Sequence, residues 1–116
     1  MKAFMFPVLC LALASCVSSV TAVPTRSQET AVRTAVQNTA RNPASVTTRN
    51  FRSYTLSNGE TATCVDVNAE NAFGGMTGFS PVVVNAAAGR EPIVFWDTPA
   101  AQMECNLLAR GSSARF

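Results

Sequence analysis

Two runs of β-branched and aromatic residues meet at Asn58-Gly59, and that meeting constrains the fold more than any other feature of the chain. Residues 46–56 are rich in Val, Thr, Phe and Tyr, side chains that fit a pleated surface. Asn-Gly is a strong hairpin signal because both residues tolerate positive φ. From Glu60 to Asn68 the chain returns as a second strand, with Thr61, Thr63, Val65 and Val67 alternating against Ala62, Cys64 and Asp66. Two further strands are expected, one from Phe79 to Asn85 around Val82-Val83-Val84 and one from Pro92 to Trp96.

Helical periodicity flanks the strands. From Ser27 to Arg41, Val32, Ala35, Val36 and Ala40 share a stripe that Arg33 and Arg41 avoid. Thr25 and Ser27 are candidate N-caps, and Asn42-Pro43 is a stop. Near the C-terminus Thr98 is the expected N-cap, Pro99 the first helical residue and Gly111 the stop. Ala100, Met103 and Leu107 form one stripe of this helix, and Ala101, Cys105 and Leu108 its neighbour. The order α-β-β-β-β-α predicts an α+β fold. Its expected form is a small four-stranded antiparallel sheet with an N-terminal and a C-terminal helix packed on one face.

The first residues have a different character. Lys2 precedes an apolar run from Ala3 to Ala14, shorter than the roughly 20 residues a membrane-spanning helix requires. This is the pattern of an export signal. Leu13-Ala14-Ser15-Cys16 resembles a bacterial lipobox, which makes residues 1–15 a signal peptide and Cys16 a lipidation site. Val20-Thr21-Ala22 offers a competing small-x-small cleavage site. Val17 after the cysteine, where an Asp would signal retention at the inner membrane, points by analogy to the periplasmic face of the outer membrane. Cleavage after Ala22 would instead leave a soluble periplasmic or secreted protein. Residues 16–26 are expected to form a tether, residues 27–111 a single domain and residues 112–116 a loose tail.

Cys10 and Cys16 belong to the signal or anchor, leaving Cys64 and Cys105 for the domain. In an oxidising compartment such a pair is expected to form a disulfide. The rival role, a thiol nucleophile at Cys64, needs a base, and the chain contains no histidine. The formal charge is +2 and the basic residues are scattered singly, unlike the clustered cations of nucleic-acid binders. No nucleic-acid partner, cofactor or metal is expected.

The stretch CVDVNAENAFGG, residues 64–75, is the strongest candidate for function. Asp66, Asn68 and Glu70 alternate as in a calcium loop, but Asn71 stands where the turn glycine is needed and Thr77 where the bidentate Glu is needed. Gly74-Gly75-Met76-Thr77-Gly78 lacks the spacing and the lysine of a phosphate loop. Asp66 and Glu70 as a catalytic pair in a small hydrolase remain a rival reading. Asn68 and Asn71 suit Asx-type turns, Gly74 and Gly75 suit positive φ or close backbone approach, and Phe73 is expected to plug the corner into the core. Asn68, Asn71, Phe73, Gly74 and Gly75 thus define a candidate binding loop.

The run from Cys64 to Pro81 resembles a pattern recurring in small exported bacterial proteins of unassigned function, C-x-x-V-N-A-x-N-x-F-G-G-x-x-G-[FY]. Asn42-Pro43-Ala44-Ser45 and Asn50-Phe51-Arg52 fit the same proteins. Met76 stands where an aromatic is more usual. The resemblance covers Asn42 to about Val84 and implies an exported domain without naming an activity. The expected role is recognition of another envelope component, a protein or a glycan, with the membrane reached through the lipid anchor. A purely structural envelope role is the other alternative.

Overall fold

A computed structural model describes residues 17–114, so the expected signal peptide and the Cys16 anchor lie outside the described residues. The elements are β1 (Val17–Ala22), α1 (Arg26–Thr39), β2 (Thr47–Leu56), β3 (Thr61–Asn68), β4 (Ser80–Ala86), β5 (Ile93–Phe95), α2 (Thr98–Ala109) and β6 (Ser112–Ser113), with a short 3-10 turn at Pro43–Ser45. Neighbouring strands are antiparallel in the order β5-β4-β3-β2-β1-β6.

The expected four-stranded sheet therefore has six strands. Both additions come from segments expected to be irregular. Residues 17–22 of the expected tether pair with β2, from Ser19 opposite Leu56 to Ala22 opposite Ser53. The expected tail contributes Ser112 and Ser113, which pair with Ser18 and Val17. Small hydroxylated residues hid these strands, because their pairing is set by backbone hydrogen bonds and not by an apolar alternation. Ser19 shows the point: its N–H donates to the Gly111 carbonyl at 3.0 Å, and its buried hydroxyl donates to the Leu108 carbonyl at 2.7 Å.

The helices do not share a face. Pleating sends alternate residues of a strand to opposite sides, and β3 is buried on both. Val65 and Val67 join Val82 and Val84 of β4 against Val32, Ala35 and Val36 of α1. Ala62 and Cys64 join Val83 against Ala101, Cys105 and Leu108 of α2. The sheet curls around α2, which touches β4, β1 and β6. Two separate apolar clusters thus replace the single helical layer expected from the element order.

A bulge in β2 makes the two-sided arrangement work. Arg49 opposes Asp66 and Arg52 opposes Cys64, so β2 carries one extra residue. Asn50 occupies the left-handed region at φ 60, which Asn tolerates better than most residues. The bulge reverses the phase of the strand. Thr48 before it lies on the α1 side, where its hydroxyl accepts from Arg33 Nε at 3.0 Å. Tyr54 and Leu56 beyond it lie with α2. Without the extra residue both would point at the wrong helix.

Local signals set the remaining boundaries. Thr25 caps α1 in a capping box with Gln28, and Pro43 stands just beyond the helix. The Ser57–Glu60 turn uses positive φ only at Gly59, while Asn58 Oδ1 accepts from the Glu60 N–H at 2.9 Å. This is a three-residue loop ending in a glycine bulge. In α2 the buried stripe is Ala101, Cys105 and Leu108, and Met103 of the competing stripe is exposed. The N-cap is Asp97 rather than Thr98. Glu104 is buried at 1% exposure, and its carboxylate accepts from Ser113 Oγ and the Ala114 N–H. Those two bonds tie residues 113 and 114 back to α2.

Cys64 and Cys105 form a disulfide with Cα atoms 6.1 Å apart and a sequence separation of 41. Constraining the unfolded chain over such a loop stabilises the fold by about 4 kcal/mol in the chain-entropy model. Urea unfolding with and without reductant should therefore differ by about 3–4 kcal/mol, the reduced protein being less stable. At the bulge, Asn50→Gly should be tolerated, whereas Asn50→Val should cost about 1–2 kcal/mol in the same assay.

Candidate functional site

The chain between β3 and β4 continues their hairpin beyond the sheet. Glu70 and Met76 form an isolated antiparallel bridge, and the Thr77 N–H donates to the Ala69 carbonyl at 2.9 Å. The tip, residues 71–75, is built around Asn71. Its N–H donates to the Gly75 carbonyl at 2.7 Å, and its own carbonyl accepts from the Gly74 N–H at 3.1 Å. Its side-chain Oδ1 accepts from the N–H groups of Phe73 and Gly75 at 2.9 and 3.1 Å. Gly74 takes φ 83, a conformation costly for any side chain. Gly75 does not need that freedom.

Asn68 performs the same service at the base, where its Oδ1 accepts from the Gly78 N–H at 3.0 Å. The loop is also braced from outside. The Glu70 N–H donates to Ser45 Oγ at 3.0 Å, and Asn42 Nδ2 donates to Glu70 Oε2 at 3.0 Å. The Asn42–Ser45 segment is thus a buttress for the loop. Arg49 stacks over Phe79 with its guanidinium carbon 3.7 Å from the ring centroid, a cation–π contact.

Phe73 departs from its expected place. It is 97% exposed, the most exposed large apolar side chain among the described residues, so it plugs nothing. A hydrogen-bonded two-strand stem carries it beyond the end of the sheet. Met76 on the same loop is half exposed at 50%.

Beside the loop stem lies a cleft of about 170 Å³, lined by Thr39, Arg41, Glu70, Thr77 and Trp96 among others. Trp96 closes it, its indole N–H donating to Thr39 Oγ1 at 2.8 Å. Sequence reasoning placed Trp96 on a strand and attached no role to it. A larger hollow of about 380 Å³ beside α2 includes Phe95, Met103 and Glu104, but the Glu104 carboxylate is engaged by the chain end.

The residues weighed for catalysis are not brought together as a pair. Asp66 receives Asn50 Nδ2 at 3.3 Å and faces Arg52 at 3.5 Å. Glu70 is held by Asn42 on the cleft side. Cys64 is bonded to Cys105 and has no thiol to offer. Among the described residues no group of three His, Cys, Asp or Glu side chains converges as a metal site. No helix among them is long and apolar enough to cross a membrane.

No family model, curated protein or solved structure matches the chain. What the geometry offers is a shaped, internally bonded loop presenting an aromatic ring to solvent. Asn71→Ala should release the Phe73 and Gly75 amides, costing about 1–2 kcal/mol. Amide hydrogen exchange should show those two N–H groups losing protection while Val65 and Val83 in the sheet keep theirs.

Proposed function

We propose that the chain is an exported bacterial envelope protein, lipidated at Cys16, whose Asn68–Phe79 loop docks onto a protein partner. The observation that carries the docking role is Phe73. An exposed phenylalanine on a flexible segment would bury itself or be averaged by motion. Here the backbone beneath it is fixed by four hydrogen bonds within residues 71–75. Fixing that backbone beforehand lowers the entropic cost of binding. Aromatic anchors of this kind supply much of the energy at protein interfaces.

A protein suits this surface better than a glycan. Sugar hydroxyls are held through both donors and acceptors, and the Oδ1 acceptors of Asn68 and Asn71 are both engaged by the loop itself. The ring is flanked by Ala72 and Gly74, which leave room for a pocket on the partner to close around it. The export part of the reading rests on the LASC tetrad after the apolar run, and the disulfide is consistent with an oxidising compartment.

Phe73→Ala should leave stability within about 0.5 kcal/mol of the parent, as for other exposed substitutions. Crosslinking in intact cells should lose its main protein adduct in that variant. Persistence of the same adducts would remove the loop from the interface.

A further inference from the structure

The two candidate cleavage sites lie on either side of β1, and the fold discriminates between them. Cleavage after Ala22 would delete residues 17–22, which are all of β1. That strand is internal to the sheet, between β2 and β6. Its loss would strip the β2 edge along residues 53–56 and leave β6 without its partner. The Ser19 bonds to Leu108 and Gly111 at the end of α2 would go as well. So would the paired bonds between Ser18 and Ser57, at 3.1 and 2.8 Å.

We infer that maturation retains β1: the signal is removed ahead of Cys16, and the lipid anchor is joined to the sheet with no tether, at the end opposite Phe73. This rests on the export reading above and extends it to the geometry of display.

The orientation follows from strand register. Cys16 directly precedes Val17, the first residue of β1, in the sequence. Ser18 bonds Ser57 in the β2–β3 turn, which places the start of β1 level with that turn. The β4–β5 connection lies at the same end, since Ala86 opposes Thr61. Strand β3 then runs eight residues, Thr61 to Asn68, before the binding loop begins. At a strand rise of 3.2–3.4 Å this is about 25 Å of separation, to which the loop itself adds. An acylated Cys16 holds the Ser57–Glu60 and Ala87–Arg90 turns against the bilayer and aims Phe73 away from it. Phe73 is therefore directed at a partner across the aqueous space and not into the anchoring membrane.

Two measurements on the full-length precursor, expressed in a bacterium that processes lipoproteins, test this. Intact mass of the purified product should correspond to residues 16–116 plus acyl groups. An unmodified chain beginning at Val23 would overturn the inference while leaving export intact. An uncleaved 1–116 chain would overturn export and the inference together. The second measurement uses the acylated protein in vesicles containing brominated lipid, which quenches tryptophan only at close range. Ala88→Trp should lose fluorescence and Phe73→Trp should not, each read against the native Trp96 background. Quenching of Phe73→Trp, or none at Ala88→Trp, would overturn the orientation.

Discussion

The bond between Cys64 and Cys105 fastens the middle of β3 to the inward side of α2, and much of the architecture follows from that attachment. With one face of β3 committed to α2, its other face, carrying Val65 and Val67, needs a separate cover, and α1 provides it. A chain of this size cannot bury a deep core. It instead distributes small apolar residues over two thin clusters and relies on a crosslink where packing alone is modest. The bulge at Asn50 is a consequence of the same demand, since β2 must serve α1 at Phe51 and α2 at Tyr54 and Leu56.

Much of this was legible in the residues, for identifiable reasons. The strands around Asn58-Gly59, the capped helix starting near Thr25 and the cysteine pairing all rest on local or pairwise chemistry that the sequence displays. The placement of the helices was not legible. The run ATCVDV reads equally well as a one-sided or a two-sided strand, and only the partner of each valine distinguishes them. Strands β1 and β6 were hidden because VSSVTA and SS carry no apolar alternation. Their places depend on hydrogen bonds to residues far away in the chain. Glu104 was hidden for a similar reason, its partners lying in a segment that has no pattern of its own.

The loop shows the same division. That Asn71 would bond the backbone of its own turn follows from side-chain chemistry, and the structure bears it out, whereas Asn68 reaches across the loop to the Gly78 N–H instead of forming a local Asx turn. That Phe73 would face solvent depends on how far the β3–β4 stem projects, which no local rule states. The result separates two roles within one motif. The asparagines, Gly74 and the Asn42–Ser45 buttress maintain a shape, while the ring at the tip is left free to make contacts.

The pairing of β1 with β6 has a consequence for how the domain comes into being. Val17 sits opposite Ser113, so the first described strand closes on nearly the last described residues. Contacts this distant in sequence form slowly, because the intervening chain must be gathered first. Cys105, needed for the crosslink, also lies in the last helix. Neither the sheet nor the disulfide can therefore close until the chain has been made available as far as Cys105 and Ser113.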